Sequence, residues 1–387
     1  MRLLVVHPSL NRSGGAERVC LGTIKALSSR GHRVHLATVD RTDWSSLEER
    51  FGGIIQRPDS EEHLLDTMPF SGTLSQAAYT VMFFLPLVAY HRLAGDFDLI
   101  LNTYGELEQS MADISYINAI PIRLAHLWAY ADPQSIWMKA LTSAFSLSSI
   151  ASHKLLTNNI LLTNSTFMRD IIRRHLLRES TVIFPPVELQ RFRENAQGKE
   201  KENLVVTVTR LRQGKQLEII PKVARHVRNC RFIILALSDA ASGTTLDGLA
   251  KSIRTNGVEN RVEILLNQPS NRIVEILTSS KVYLHTQSSE AFGISVVEAM
   301  VSGCVPVVPQ SGGPWIDILN ESEARYGFSF ISPEEAGRKI DLLFSNDQLR
   351  KQVSDRARQR ADAFDSALFE SRLAGIVERV LQSRLNL

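Results

Sequence analysis

The stretch SSEAFGISVVEAM, residues 288–300, places the carboxylates Glu290 and Glu298 in an otherwise mostly small and apolar segment. If a helix begins near Gly293, the apolar residues around Glu298 cover most of its circumference at about 100° per residue. A helix that is apolar on all sides is usually buried, and a buried carboxylate without a partner is costly. We therefore expect Glu298 at the edge of a cavity with a partner there, unless the helix is less buried than its composition suggests.

The surrounding sequence alternates apolar runs with helical patterns along the whole chain. Long apolar runs separated by helices are typical of parallel strands buried on both faces. The sequence therefore predicts an α/β fold with two doubly wound domains, which would face each other across a cleft. The expected strands are residues 2–8, 32–39, 97–104, 114–120, 160–166 and 181–187, then 204–210, 231–238, 261–267, 281–287 and 304–310.

The segment ELQRFRENAQGKEKEN, residues 188–203, is polar and shows no apolar periodicity. It follows the FPP break that ends the first half, so we interpret it as the connection between the domains. The predicted division is a first domain at 1–190, a linker at 191–203 and a second domain at 204–365. A final amphipathic helix, 366–387, is expected to pack back on the first domain.

Composition excludes several classes of protein. The 387 residues include 44% hydrophobic and 22% charged residues, an ordinary globular balance, and the net charge of +3 gives no reason to expect nucleic acid as a partner. Three widely spaced cysteines in apolar surroundings indicate buried thiols in a reducing compartment, without metal-ligand spacing. The first residues, MRLLVVHP, are too short an apolar run for a signal peptide and are expected to form a strand.

The longest apolar run, YTVMFFLPLVAY at residues 79–90, is shorter than the roughly 20 residues that span a bilayer. A core helix kinked at Pro86 is the favoured interpretation. The alternative is a monotopic element that attaches a cytoplasmic protein to the surface of a membrane.

Three loops at expected strand ends carry candidate binding residues. Gly14 and Gly15 lie between the first strand and the first helix, where glycine permits close approach of a ligand and helix N–H groups attract an anion. Arg18, one turn further on, could reach a phosphate, although an exposed arginine and a structural turn are the simpler interpretations. In the second domain, Arg210 and Lys215 bring two positive charges to a strand end, an arrangement that suits a diphosphate.

Beyond the expected strand at 281–287, Glu290 falls in a loop and Glu298 about one turn inside the next helix. The first N–H groups of that helix, at Gly293, Ile294 and Ser295, would then face the same site as the two cations. A carboxylate accepts two hydrogen bonds at once, which suits the vicinal diol of a ribose.

With these residues in place, the chain resembles the retaining nucleotide-sugar glycosyltransferases of the GT-B fold, in the large family numbered four. The resemblance is carried by GGAERV, LLTNSTF, VIFPPVE, LHTQSSEAFGISVVEAMVSG and SGGPWIDIL. The last two segments look most like the branch that transfers α-1,2-linked mannose from GDP-mannose to lipid-linked oligosaccharides.

The resemblance implies a role for each matching position. Arg210 and Lys215 would neutralise the departing diphosphate without a metal ion or another cofactor, and Glu298 would hold the ribose. Glu290 would contact the donor sugar, while the backbone of Gly293 and Ile294 would hold the distal phosphate and sugar hydroxyls. Gly14 and Gly15 would let the first domain approach an acceptor phosphate.

Two positions depart from the pattern of the family. Many relatives carry a histidine that contacts the donor sugar where this chain has Asn118, whose amide can bind a hydroxyl but cannot carry a proton. His126 could substitute for it, and Gln216 follows Lys215 where glycine is usual. The sequence thus predicts a hexosyltransferase using a nucleotide sugar, GDP-mannose favoured, and a lipid-linked or polysaccharide acceptor. The alternatives are use of a UDP-sugar, a nucleotide-sugar 2-epimerase, and a nucleotide-sugar-binding protein without transfer activity.

Overall fold

The structure is a computed structural model that describes residues 1–12, 14–67, 87–88, 90–92, 94–106, 112–120, 159–238 and 242–385. Most of the apolar run at 79–90, including Pro86, lies outside the described residues, and so does His126. Within the described ranges, no helix is long and apolar enough to cross a membrane.

The chain divides into two compact units. The first consists of Met1–Pro186 and Ser366–Leu387, and the second of Val187–Asp365. Each unit is built around one sheet whose strand pairs are all parallel, as the alternating apolar pattern predicts.

The first unit contains a seven-stranded sheet in the order β3-β2-β1-β4-β5-β6-β7. Its strands are β1 (Arg2–Val6), β2 (Arg33–Asp40), β3 (Ser60–Leu65), β4 (Leu99–Asn102), β5 (Ile114–Ile117), β6 (Ile160–Thr163) and β7 (Thr181–Val182). Its described helices include α1 (Gly15–Ser28), α2 (Trp44–Phe51) and α3 (Thr166–Leu176).

The second unit contains a six-stranded sheet in the order β10-β9-β8-β11-β12-β13. Its strands are β8 (Glu202–Arg210), β9 (Arg231–Leu237), β10 (Val262–Leu266), β11 (Ser280–Leu284), β12 (Val305–Pro309) and β13 (Phe328–Phe330). Its helices include α4 (Leu189–Ala196), α5 (Ile219–Ala224), α6 (Gly243–Thr255), α7 (Ser270–Ser279), α8 (Ile294–Val301), α9 (Pro333–Ser345) and α10 (Asp347–Ala361).

Strand positions follow the sequence pattern except at the sheet edges. The pattern missed β3 and β13, each of which is an edge strand. In β3, polar residues alternate between exposed and half-buried positions, so no apolar run marks it. With only three residues, β13 is too short to produce a recognisable run.

The interpretation of residues 188–203 as a segment without helical pattern is wrong for its first half. Residues 189–196 form α4, in which Leu189 and Phe192 are buried one turn apart. This helix packs against α7 and α8 of the second unit. A pair of apolar residues spaced i and i+3 is thus enough to fix a short helix when a neighbouring surface covers it.

The last helix, α11 (Ser366–Leu385), packs against α1 within the first unit. Phe369, Leu373, Val377 and Leu381 recur at helical spacing and join the core under the first sheet. Near the end of α11, the Arg384 guanidinium donates to Asp113 Oδ1 at 2.6 Å, and Arg92 donates to the same oxygen.

Candidate active site

Arg210, Lys215 and Glu290, three of the predicted residues of the second unit, lie at one edge of its sheet. Arg210 is the last residue of β8, and Lys215 ends a short 3₁₀ turn, Gln213–Lys215, that follows. Since β8 and β11 pair in parallel, their carboxyl ends lie at the same edge, and the loop after β11 carries Glu290. This edge is where ligands bind in open α/β sheets.

Lys215 joins the two loops. Its Nζ donates to Glu290 Oε2 at 2.7 Å and to Gln287 Oε1 at 2.6 Å. Its backbone carbonyl accepts the Thr286 hydroxyl at 2.6 Å. Lys215 is therefore held both at its backbone and at its ammonium group, which fixes the position of the positive charge. Its side chain is 28% exposed.

Glu290 is ionised next to this ammonium group. Burial by itself would raise the pKa of Glu290, but the charge of Lys215 and the hydrogen bond from it lower the pKa below the usual value. The carboxylate and the ammonium thus form a pair whose charges nearly cancel. An anionic ligand that binds Lys215 would compete with Glu290 for it.

His285 is a member of this group that the sequence analysis did not single out. Its Nε2 lies 3.8 Å from Glu290 Oε2 and, within the part of the chain that the structure describes, has no hydrogen-bond partner. Burial lowers the pKa of His285 to about 4, so the ring is neutral at physiological pH. The sequence did contain a signal for this residue, because a histidine directly after a buried parallel strand lies at the edge of the sheet where ligands bind.

Gly293 sets the start of α8, as the sequence predicted. It is the N-cap residue with φ of 98°, a left-handed backbone conformation that residues with a side chain rarely adopt. Ile294 and Ser295 are the first helical residues, so their backbone N–H groups belong to the end of the helix that attracts anions. This end of the helix is therefore suited to a phosphate or a sugar hydroxyl, whose oxygens accept hydrogen bonds from N–H groups.

A second glycine-rich loop, after β12, supports the one that carries Glu290. Gly313 N–H donates to the carbonyl oxygen of Glu290 at 2.9 Å. A Cβ at Gly313 would lie 2.2 Å from the carbonyl oxygen of Ala291, and one at Gly312 would lie 2.8 Å from that of Glu290. Only residues without a side chain permit this close approach, which explains SGGP in the sequence.

Glu298 lies in the fifth position of α8 and is 5% exposed. The helix around it is fully buried from Val296 to Val301, as its composition predicts. Near its start, the Tyr283 hydroxyl lies 2.7 Å from Ser295 Oγ and 3.2 Å from the carbonyl oxygen of Val208. Tyr283 and Ser295 thereby connect α8 to the strands beneath it.

Gln216 takes the left-handed conformation, with φ of 53°. Non-glycine residues occupy this region at a cost of about 1 kcal/mol. The side chain has a function there, because its Oε1 accepts the backbone N–H of Ser288 at 2.9 Å. Where a glycine would supply only the backbone turn, glutamine supplies the turn and a link to the loop of Glu290.

In the first unit, side chains of the protein itself contact the start of α1 near Gly14 and Gly15. Gly14 is the N-cap residue of α1, and its N–H donates to Glu17 Oε2 at 2.7 Å. The Arg18 guanidinium lies over the Phe51 ring, 5.3 Å from its centroid. Glu17 therefore occupies part of the anion-attracting helix end that the sequence assigned to a phosphate.

Asn118 follows β5 and bonds to three neighbours. Its amide Nδ2 donates to the carbonyl oxygen of Thr103 at 2.9 Å, and its backbone N–H donates to Glu106 Oε1 at 3.1 Å. Its carbonyl oxygen accepts the amide of Asn164 at 2.6 Å. The amide thus holds two strand ends together, a task that requires no proton transfer.

Among the residues that the structure describes, no group of three or more His, Cys, Asp and Glu side chains is placed to hold a metal ion.

Comparison with known proteins identifies the second unit. Residues 190–360 match the family model described as glycosyl transferases group 1. Similar curated proteins include the GDP-Man:Man(3)GlcNAc(2)-PP-Dol alpha-1,2-mannosyltransferases of Dictyostelium discoideum and Homo sapiens. The first is 22% identical over 59% of this chain and 48% of its own length, and the second 25% identical over 52% and 44%. The chain thus spans about half the length of the curated relatives it matches.

Solved structures resemble the chain over nearly its whole length. Anabaena HepE, determined in complex with UDP and glucose, is 18% identical with a TM-score of 0.71 and covers 98% of this chain and 100% of its own. WaaG, a glycosyltransferase involved in lipopolysaccharide biosynthesis, is 15% identical with a TM-score of 0.68 and covers 97% and 99%.

The two parallel α/β units therefore have the fold of the GT-B glycosyltransferases. Within it, residues 190–360 form a glycosyl transferase group 1 domain. The α-1,2-mannosyltransferases are distant relatives of the chain.

Proposed function

We propose that this protein is a retaining hexosyltransferase that takes the sugar of a nucleotide donor, GDP-mannose favoured, and transfers it to a lipid-linked or other glycan acceptor. The observation that carries the proposal is the contact between Lys215 and Glu290. It brings a cation and a carboxylate from two separate loops to the carboxyl edge of the second sheet, beside the start of α8.

Each group at this edge suits one part of a nucleotide sugar. The positive charges of Arg210 and Lys215 suit the diphosphate, whose negative charge grows as the glycosidic bond breaks. The N–H groups at the start of α8 suit a phosphate or hydroxyl oxygen. Glu298, further along the same helix, suits the two hydroxyls of the ribose.

The proposed reaction needs no carboxylate as nucleophile. The bond between the anomeric carbon and the diphosphate oxygen breaks, and an acceptor hydroxyl attacks the same face of the sugar. The departing phosphate oxygen takes the hydroxyl proton, so charge and atoms balance. The contribution of the protein is orientation of the reactants and stabilisation of the leaving group by Arg210 and Lys215.

The choice of GDP-mannose and of a lipid-linked acceptor is supported by the names of the distant relatives. A lipid-linked acceptor also suits peripheral attachment to a membrane, for which the apolar run at residues 79–90 is the candidate. A UDP-sugar is the main competing donor.

Thermal stabilisation by nucleotides tests the proposal. GDP, UDP, ADP and their common sugar conjugates are added one at a time, with and without Mg²⁺, and the melting temperature is measured. A ligand at 100 times its Kd stabilises a protein by about 2.7 kcal/mol, which is easily detected. A selective shift by GDP and GDP-mannose is expected. A selective shift by UDP would replace the mannose assignment, and no shift by any nucleotide would overturn the proposed function.

A further inference from the structure

The backbone that follows the glycine-rich loop after β12 has an unusual shape. Pro314–Ile318 form one turn of π-helix, a rare form that is frequent at functional sites. Beyond this turn, Asn320, Glu321 and Ala324 adopt left-handed conformations, with φ of 53°, 51° and 61°. Residues other than glycine keep such conformations only where the surrounding structure holds them there. A contact from outside must therefore hold these residues, 314–325, which we call the π-turn segment.

Two arginines of α10 supply that contact. Arg360 donates from Nη2 to the carbonyl oxygen of Asp317 at 2.7 Å and from Nε to that of Ile318 at 3.2 Å. Arg356, one turn earlier in the helix, donates to the carbonyl oxygens of residues 325 and 324 at 2.9 and 3.1 Å. A planar guanidinium binds two acceptors in one fixed geometry. Arg360 therefore fixes the end of the π-helical turn, and Arg356 fixes the far end of the π-turn segment.

The π-helical turn is continuous with the backbone that supports Glu290. Gly313 is the N-cap residue of the turn, and its N–H donates to the carbonyl oxygen of Glu290 at 2.9 Å. A Cβ at Gly313 would lie 2.8 Å from the Cα of Phe292, so the two loops touch with no space between them. A displacement of the turn would move Gly313 and, through it, the residue whose carboxylate pairs with Lys215.

Arg360 reaches the same loop by a second route, through Phe364. Its guanidinium carbon lies over the Phe364 ring, 5.1 Å from the centroid, where the ring attracts a cation. Phe364 meets Phe292 edge to face, with ring centroids 5.4 Å apart, and both rings are buried. Phe292 is two residues beyond Glu290 in the sequence. One guanidinium therefore contacts both supports of the loop that carries Glu290.

We propose that Arg360 is a positioning residue for the transfer reaction. Through the π-helical turn and through Phe364, it keeps Glu290 and its partner Lys215 in the geometry that the departing diphosphate requires. This role rests on the proposed function, because it concerns the geometry of the donor site. It also gives a task to α10, a helix in which none of the site residues predicted from the sequence lies.

Replacement of Arg360 by lysine tests this role. Arg360→Lys keeps the positive charge but cannot bind both carbonyl oxygens in the fork geometry of arginine. We expect kcat for release of the nucleoside diphosphate to fall about tenfold, since even a small misplacement of catalytic groups slows a reaction. KM for the donor should change little, because the contacts proposed for the ribose and the distal phosphate remain.

Arg356→Lys is the matched control. It loses the same kind of bidentate contact with the π-turn segment, but at the end that lies away from Gly313 in the sequence. Both lysine variants should therefore melt at a similarly lowered temperature, while Arg356→Lys keeps the wild-type kcat. A purely structural role of Arg360 would instead make the two variants equal in both measurements.

Hydrogen exchange reports the position of the loop without any substrate. The Gly313 N–H is protected by its hydrogen bond to Glu290, and mass spectrometry of peptides that contain residues 311–314 follows its exchange. Exchange should become faster in Arg360→Lys and stay unchanged in Arg356→Lys. Phe364→Leu, which removes the ring that contacts both Arg360 and Phe292, should also lower kcat.

Each outcome decides the question. Wild-type kcat in both Arg360→Lys and Phe364→Leu would overturn the proposal, as would an equal loss of kcat in the two lysine variants. Reduced kcat in Arg360→Lys with unchanged exchange at Gly313 would overturn the route through the π-helical turn. If the wild type neither responds to nucleotides nor releases a nucleoside diphosphate, the proposed function itself fails, and the role of Arg360 fails with it.

Discussion

Lys215 Nζ and Glu290 Oε2 lie 2.7 Å apart, although 75 positions separate the two residues in the sequence. Gln287 Oε1 accepts a second hydrogen bond from the same ammonium at 2.6 Å. A diphosphate that binds here would take over part of the role that Glu290 has in the free protein. If the site binds the donor as proposed, the pair keeps the cation in position before the donor arrives, which reduces the ordering that donor binding requires.

Lys215→Ala should reduce turnover by about 10²–10³-fold, the usual effect of losing one donor to a developing oxyanion. The physical reason is that the leaving diphosphate loses a positive charge where its own charge increases. Release of the nucleoside diphosphate from the donor measures the rate. Lys222→Ala, at an exposed position of α5 in the same unit, is the matched control and should keep the wild-type rate. Equal rates for both variants would rule out the leaving-group role.

Gln216→Gly and Gln216→Ala separate the backbone of this residue from its side chain. Both remove the hydrogen bond to Ser288, but only alanine keeps the left-handed strain, which should cost about 1 kcal/mol of stability relative to glycine. We expect the glycine variant to unfold at the higher denaturant concentration and both variants to lose turnover to a similar extent. Wild-type turnover in the glycine variant would mean that the amide does not position the loop.

Glu298→Gln should weaken nucleotide binding about tenfold, or 1.4 kcal/mol, if the carboxylate binds the ribose hydroxyls. A sharper test compares GDP with 2′-deoxy-GDP by calorimetry. The wild type should prefer GDP, and the variant should bind the two nucleotides about equally. A variant that retains the full preference would place the ribose elsewhere.

His285 should make the protein less stable in mild acid. Its pKa in the folded state, about 4, is below the ordinary value of 6.5, so the folded state prefers the neutral ring. Above about pH 6.5, His285 therefore does not lower the free energy of unfolding. As the pH falls toward 4, that free energy decreases by about 3 kcal/mol at most. His285→Gln should flatten the unfolding free energy between pH 7 and pH 5, measured by urea denaturation. The same slope in this variant and in the wild type would mean that His285 does not set the pH dependence.

The strands and the start of α8 could be predicted because they depend on local patterns. Buried parallel strands require continuous apolar runs, and the left-handed residue before α8 requires glycine at position 293. Edge strands β3 and β13 and helix α4 lack such signals, since neighbouring surfaces stabilise them more than their own sequences do. The roles of Arg210, Glu298 and the other donor-site residues remain predictions.

By itself, the sequence determined the α/β class, the parallel sheets and the loops that carry Arg210, Lys215, Glu290 and Glu298, because each depends on residues close together in the chain. Only the tertiary structure decided which side chains of different loops meet. It paired Lys215 with Glu290, placed buried His285 beside them, and gave Gln216 a partner in Ser288.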